Sequence, residues 1–389
     1  MTAMYTVRRG GAYDRFKMTI ESFLEKQWEV HCLSLTPIQI EHSFFRNHVM
    51  DFPFKTTNGF IAKLAVLSIF PLWSVWIAWR YKIDLLIAFG SLYAFIQSFA
   101  KWLLKKSMVT LIRGSSSFGL KMQNSSQWTL HLNKFIENIG FHFSDRIITN
   151  NMAFQEDISR RLERKKDIQI EVLFNDIPSM HISQPEDRLQ TRTKYGIPGD
   201  AKVIVASGIL NRGKNIEILV ECLQKIEEKN VYVLIAGDGL TEADLRYKDS
   251  LQGLAKKLGV DKKVIFTGWL EKEDLWKLYL ASDLFILPSR SEGMPNAMLE
   301  ALGFDLPCLG SRISGVKDIL QYEDLMFDPE DEKGLVEKIH QFFSDEQHSN
   351  YIIELCRGRK KEFLFDWKER VFQMVTQRPS HRGEACQSR

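Results

Sequence analysis

The sequence has 389 residues, 44% hydrophobic and 26% charged, an ordinary globular balance with length for two cores of typical size. Five cysteines (Cys32, Cys222, Cys308, Cys356 and Cys386) form no C-x-x-C pair, which argues against a zinc knuckle or disulfide framework and fits a reducing cytoplasm. The net charge is +3, but the first 180 residues carry +7 and the remainder −4, so the two halves are expected to face different partners.

The opening MTAMYTVRRGG lacks the charged-then-apolar order of a secretory signal, and none is expected. The stretch LAVLSIFPLWSVWIAW, 64 to 79, is shorter than the roughly 20 residues needed to cross a hydrocarbon core and contains Pro71, so it is not read as a span. Trp73, Trp76 and Trp79 fall near one helical face, followed by Arg80 and Lys82. Two readings stay open: a helix packed on a sheet with its tryptophans in the core, or one lying in a membrane interface. The basic clusters Lys101/Lys105/Lys106 and Arg160/Arg161/Arg164/Lys165/Lys166 fit either an anion-facing surface or ordinary solvated helix faces.

IDLLIAF (83 to 89), MVTLIRG (108 to 114) and DRIITN (145 to 150) read as buried strands, with a helix over YAFIQSFAKWLLKK. In the second half the strands are VIVASG (203 to 208), VYVLIAG (231 to 237), KVIFTG (263 to 268), DLFILP (283 to 288) and DLPCLG (305 to 310), each followed by a helical stretch. Such alternation implies parallel sheets with helices on both faces. A polar segment broken by Pro and Gly, 183 to 200, suggests domains over 1–182 and 183–346, and a disordered tail over 377–389.

Ligands of doubly wound sheets bind at the carboxyl ends of strands, where helix N-termini favour anions. Two places meet that description. SGILNRGKN, 207 to 215, has the spacing Gly208-x4-Gly213-Lys214 of a phosphate-cradling loop, but Asn215 stands where Ser or Thr would hold Mg²⁺. Arg212 and Lys214 suit a diphosphate; a solvated surface turn is the plain alternative. SRSEGMPNAMLEALG, 289 to 303, sets Glu292 and Glu300 with seven residues between them, E-x7-E, and a helix is expected from about Asn296. Its first-turn amides suit a phosphate, Glu300 a ribose diol and Glu292 sugar hydroxyls, which together describe a nucleotide-sugar pocket.

At this stretch the sequence resembles the retaining glycosyltransferases of the GT-B fold, specifically glycosyltransferase family 4. The resemblance runs through SGILNRGKNIEILVECL, VYVLIAGDG and KVIFTGWLEKEDLWKLYLASDLFILPSRSEGMPNAMLEALGFDLPCLGSRISGVKDIL, and is weaker in RRGGAYDRF, FSDRIITNN and VLFNDI. It implies two Rossmann-like doubly wound domains facing a central cleft. The first, acceptor-binding domain would be completed by a C-terminal helix at about 347–376; the second would bind the nucleotide-sugar. It implies that Lys214 binds phosphate, that Glu292 contacts the transferred sugar, and that Glu300 holds the ribose. Gly293, Met294, Pro295 and Asn296 would line sugar and diphosphate, with Gly208 on the donor side and Gly11 near the donor phosphates.

Two positions depart from the family's pattern. Ile209 stands where an arginine usually follows the glycine, and Arg212 is expected to supply that charge. Arg113-Gly114 replaces the usual His-Gly, and Arg113 is assigned to the acceptor or phosphate side; a guanidinium cannot serve as a base. The chain has no D-x-D motif, and no metal or other cofactor is expected. The expected partners are a nucleotide-diphosphate sugar (UDP-sugar favoured), a glycan or lipid-linked glycan acceptor, and an anionic membrane surface at the cytoplasmic face, but not nucleic acid. A non-catalytic nucleotide-sugar-binding protein and a P-loop-like nucleotide triphosphatase remain the alternatives.

Overall fold

The computed structural model describes residues 2–3, 11–34, 37–50, 60–114, 126–163, 168–180, 188–228 and 230–377, with the side chains of 2–3, 11 and 60–66 excepted. The chain divides into two compact units, Met1–Leu173 with Asp366–Arg389, and Phe174–Phe365.

The first unit holds a sheet in the order β3-β2-β1-β4-β5-β6-β7, all parallel. Its strands are β1 (Thr2–Ala3), β2 (Val30–Ser34), β3 (Phe45–Val49), β4 (Leu85–Phe89), β5 (Ser107–Ile112), β6 (Arg146–Thr149) and β7 (Gln169–Val172). The helices are α1 (Gly11–Leu24), α2 (Phe60–Arg80), α3 (Ser91–Leu104), α4 (Gln127–Phe143) and α5 (Met152–Arg161). The central strands are apolar because both faces are covered, as parallel sheets require: Leu86, Ile87, Ala88 and Phe89 of β4 are all buried. α2 is longer than its apolar stretch suggests and keeps Pro71 within it. Phe70, Ile77 and Ala78 point into the core and Trp73 is half-buried, whereas Trp76 and Trp79 are exposed. The structure therefore departs from the reading that buries all three tryptophans. Among the described residues no helix is long and apolar enough to cross a membrane.

The second unit holds a parallel sheet in the order β10-β9-β8-β11-β12-β13. Its strands are β8 (Lys202–Ser207), β9 (Val231–Ala236), β10 (Val264–Gly268), β11 (Leu284–Leu287), β12 (Cys308–Ser311) and β13 (Met326–Phe327). The helices are α6 (Arg188–Lys194), α7 (Glu217–Lys225), α8 (Glu242–Lys257), α9 (Lys272–Ala281), α10 (Asn296–Gly303), α11 (Ser314–Leu320), α12 (Glu332–Ser344) and α13 (Glu346–Lys361). Register runs from Lys202↔Val231 to Ser207↔Ala236 between β8 and β9, and pairs Ile204 with Leu284 of β11. The chain leaves β8 in one direction across the sheet and resumes at β11 on its other side. The crevice between the carboxyl ends of β8 and β11 is therefore the topological switch point where such sheets bind ligands.

The boundaries differ from those expected. The second unit begins at Phe174 rather than 183, because the 174–177 segment packs into it: Ile177 lies in its core and donates its N–H to the Phe363 carbonyl at 2.9 Å. α13 also stays there, with Ile352 and Cys356 in the same core and the Cys308 N–H bonded to the Cys356 sulfur. The helix that belongs to the first unit is α14 (Trp367–Thr376), alone. Gln377 accepts from Arg146 at 2.8 Å, and the rest of the expected tail, 378–389, lies outside the described residues, as does 181–187 within the expected linker.

Candidate functional site

β8 ends at Ser207, and Gly208 follows with φ +138°, a conformation side chains resist. The turn is tightly built. A Cβ on Gly237, at the end of β9, would lie 1.8 Å from the Gly208 carbonyl oxygen, so the two strand ends touch through bare backbone. The Asn211 side chain accepts the Gly213 N–H and opens a single 3₁₀ turn, Arg212–Lys214. Asn215 then takes left-handed geometry, φ +53°, and donates its side-chain amide to the Pro329 carbonyl at 2.7 Å. This is not the geometry of the triphosphatase alternative, in which the residue after the lysine opens a helix and presents its hydroxyl to a metal.

From the other side of the switch point, the loop after β11 brings in Glu292. Lys214 Nζ meets Glu292 Oε1 at 2.6 Å, and Ser289 Oγ donates to the same oxygen at 2.8 Å. Both charged groups are largely buried. Glu292 Oε2 has no partner among the described residues, and an ammonium with three donors uses one here. The pair thus keeps an acceptor and donors for a ligand.

Glu292 is followed by Gly293, against which α11 is pressed: a Cβ on Gly315 would stand 2.0 Å from the Gly293 oxygen. Asn296 then starts α10 as expected, and no side chain caps this helix. Its first-turn amides and partial positive charge are thus arranged for an anion. Glu300 lies one turn further, near Tyr279, whose phenol bonds Ser207 at 2.7 Å and is pushed well above its usual range by burial, with the charge of Glu300 adding to the effect.

Two residues that the sequence reading passed over organise this loop. Asn175, buried, donates its backbone N–H to the Met294 sulfur at 3.0 Å and its side-chain amide to the Met294 carbonyl at 3.3 Å and Asn296 Oδ1 at 2.6 Å. Arg290 donates its backbone N–H to the Gly213 carbonyl and its guanidinium to the Arg212 carbonyl, Glu217 and Glu330. These carboxylates raise the Arg290 guanidinium further above its ordinary range. The segment VLFNDI hinted at Asn175 only through the resemblance; nothing in the spacing around Arg290 pointed to it.

Lys214, Glu292, Gly208 and the Gly293–Asn296 loop are thus brought together, with Glu300 on the helix behind. Arg212 sits on the same turn, but its side chain is exposed and makes no ion pair among the described residues. Gly11 is the first residue of α1, and the loop before it, 4–10, lies outside the described residues. Arg113 belongs to the first unit, where it donates to the Leu173 carbonyl at 3.3 Å and lies over the Trp367 ring at 5.2 Å, as does Arg15 at 5.1 Å. Among the described residues no group of three or more His, Cys, Asp or Glu is placed to hold a metal. The second unit also contains a cavity of about 480 Å³ lined by Lys202, Asp283 and Pro307, but these residues mark the amino ends of β8, β11 and β12, away from the switch point.

Two α/β units with 3-2-1-4-5-6 strand order at their centres, and a lysine–carboxylate pair at the second switch point, define the GT-B class. Residues 187–359, within the second unit, match the family model glycosyl transferases group 1, and the chain has the GT-B fold. It is similar to an uncharacterized glycosyltransferase of Methanocaldococcus jannaschii, 30% identical, over 48% of this chain and 47% of that protein. N-acetyl-alpha-D-glucosaminyl L-malate synthase of Bacillus anthracis is 27% identical over 56% and 55%. The chain thus spans about half the length of these relatives. The Anabaena protein HepE, solved in complex with UDP-glucose, shares the fold with a TM-score of 0.74 at 18% identity, over 96% of this chain and 97% of that one.

Proposed function

We propose that the protein is a retaining glycosyltransferase that moves a hexose or N-acetylhexosamine from a nucleotide-diphosphate sugar, UDP-sugar favoured, to a lipid-linked glycan acceptor in surface polysaccharide or glycoconjugate assembly. The observation that carries this reading is the Lys214–Glu292 contact at the switch point, beside the uncapped start of α10.

In this reading the diphosphate lies between Lys214 and the first amides of α10, and Glu300 accepts from the ribose hydroxyls. Glu292, held by Lys214 and Ser289, orients the sugar through its other oxygen. The bond from the anomeric carbon to the phosphate oxygen breaks with its electron pair on oxygen, where Lys214 and the helix dipole stabilise the growing charge. Arg212 adds positive charge from the turn. The acceptor hydroxyl forms the new bond on the face the diphosphate leaves, and its proton passes to a departing phosphate oxygen, so no protein nucleophile is required. These groups supply the leaving-group stabilisation that a metal otherwise would, and we propose that the reaction needs none. UDP is favoured because the HepE complex has this fold.

Purified protein titrated with UDP-, GDP-, ADP- and dTDP-sugars, with EDTA or Mg²⁺, tests the reading, because a bound donor raises the apparent melting temperature by mass action. The expected result is stabilisation by one nucleotide-sugar in EDTA, lost in Glu300→Ala. Stabilisation by Mg-ATP alone would overturn it. Binding without any transfer or donor hydrolysis would select the non-catalytic reading, which Ile209 and the exposed Arg212 favour.

A further inference from the structure

The crossovers β3 to β4, β4 to β5 and β5 to β6 all step the same way along the first sheet. Right-handed connections therefore put α2, α3 and α4 side by side on one face. α3 packs against both neighbours, and Gly140 of α4 brings two backbones into contact, since a Cβ there would lie 2.6 Å from the Phe95 nitrogen. Their inner sides are core: Phe70 and Ile77 on α2, Ile96 and Ala100 on α3, Leu130 and Phe141 on α4.

Surface helices ordinarily turn polar residues outward. These do not. α2 exposes Ile69, Leu72, Trp76 and Trp79, one stripe at spacings of three and four. α3 adds Phe99, Trp102 and Leu103, and α4 adds Trp128, Leu132 and Phe135, again along single stripes. Trp102 is 69% and Trp128 82% exposed, so these large rings lie in the open rather than in partial burial. A contiguous apolar face of this kind on a folded unit marks an interaction surface.

Charge decides its occupant. The three helices contain a single carboxylate, Glu137, which is buried and bonded to Arg161 and Ser91. The exposed cations Arg80, Lys82, Lys105 and Lys134 lie on the same helices or directly after them; of the carboxylates directly after them, Asp84 sits beside Lys106 at 3.8 Å and Asp145 is paired with Lys101 at 2.6 Å. Pairing this face with a second copy of itself would bring cations against cations. Tryptophans among aliphatics, with lysine and arginine at the helix ends and on α4 and few acids, instead match the headgroup region of a negatively charged bilayer. We infer that the outer face of α2, α3 and α4 docks on an anionic lipid surface, inserting the rings of Trp76, Trp79, Trp102 and Trp128 at headgroup depth. The inference rests on these helices alone; joined to the transfer reaction, it names the bilayer as the place where the acceptor is met.

The test is flotation of the full chain with vesicles of phosphatidylcholine, with and without phosphatidylglycerol, at low and high salt. Binding to the anionic vesicles is expected, weakened by salt and reduced roughly tenfold or more by Trp102→Ser with Trp128→Ser. Lys82→Glu with Lys105→Glu is expected to weaken it by a similar factor, leaving neutral-vesicle behaviour unchanged. Melting curves confirm that the variants fold. No vesicle binding, equal binding to both vesicle types, or binding indifferent to both sets of substitutions overturns the proposal. So does a concentration-dependent dimer, seen by light scattering, that the tryptophan substitutions dissolve. Uridine diphosphate binding on the same samples reports on the second unit: its failure counts against the donor site and leaves the vesicle result standing.

Discussion

Lys214 Nζ and Glu292 Oε1 lie 2.6 Å apart although the residues are 78 positions apart in sequence, because the turns after β8 and β11 converge at the switch point. In the proposed reading, the lysine that binds the diphosphate is held in place by the carboxylate that orients the sugar. Replacing Lys214 should therefore act on both ends of the donor, whereas replacing Glu292 should act chiefly on the sugar. Glu292→Gln keeps the shape and a hydrogen bond to Ser289 but removes the charge. We expect turnover to fall by about 10²-fold with nucleotide affinity changed less than about threefold. Lys214→Met should cost turnover and affinity together. Steady-state kinetics beside calorimetric binding of the free nucleotide separates the two, and equal losses in Glu292→Gln would remove its assigned role.

Asn175 supports a second expectation. Its amide bridges the Met294 carbonyl and Asn296, and its backbone holds the Met294 sulfur, so it fixes the loop entering α10. Asn175→Ala leaves the buried Asn296 contact unmade, which should cost about 1–3 kcal/mol of stability. The same loss loosens the first-turn amides of α10, so KM for the donor is expected to rise more than kcat falls. A normal donor KM in a folded Asn175→Ala protein would restrict this residue to packing.

The strand ends beneath the site leave no room for a side chain. Gly237 has φ +146°, and a Cβ would stand 1.8 Å from the Gly208 oxygen. Gly237→Ala must push apart the ends of β8 and β9, which position the turn carrying Lys214. We expect a loss of about 3 kcal/mol or more by urea unfolding, and weaker nucleotide binding in the protein that remains folded. Gly253, whose Cβ would meet nothing within 4 Å, is the control: Gly253→Ala, on exposed positions of α8, should be neutral or stabilising.

The parts of this architecture that were legible in the sequence are those whose burial writes a pattern. β9, β11 and the interior of β8 between Lys202 and Ser207 are apolar because both sheet faces are covered, and their runs lie within about a residue of the observed strands. β3 was not legible: at the edge of its sheet, Phe45–Val49 reads FRNHV, with Phe45 alone buried. β2 is wholly buried but carries His31 and Ser34, and β7 is half-buried along its length. In the site, Glu292, Glu300 and Lys214 announced themselves by spacing and charge. Asn175 and Arg290 did not, because their roles are bonds to distant backbone atoms, which no local pattern encodes.

His31 gives the last expectation, a pH dependence of stability away from the switch point. Its ring is buried in β2, stacked on His48 with Nδ1 2.9 Å from His48 Nε2, and the Tyr81 ring lies tilted against it at 4.5 Å. Burial lowers its pKa from 6.5 to about 4; Glu29, at 3.5 Å, opposes the shift, while His48 and Arg46 reinforce it. Burial lowers His48 as well. A histidine with a depressed folded pKa binds its proton more readily when unfolded. Its contribution to stability is therefore full above about pH 6.5 and is lost progressively as pH falls from there towards 4. Urea unfolding midpoints of the full chain should decline across that interval, and the decline should be shallower in His31→Gln, which packs a neutral amide in the same place. An unchanged slope in that variant would assign the acid sensitivity to other groups, with His48 the first to substitute.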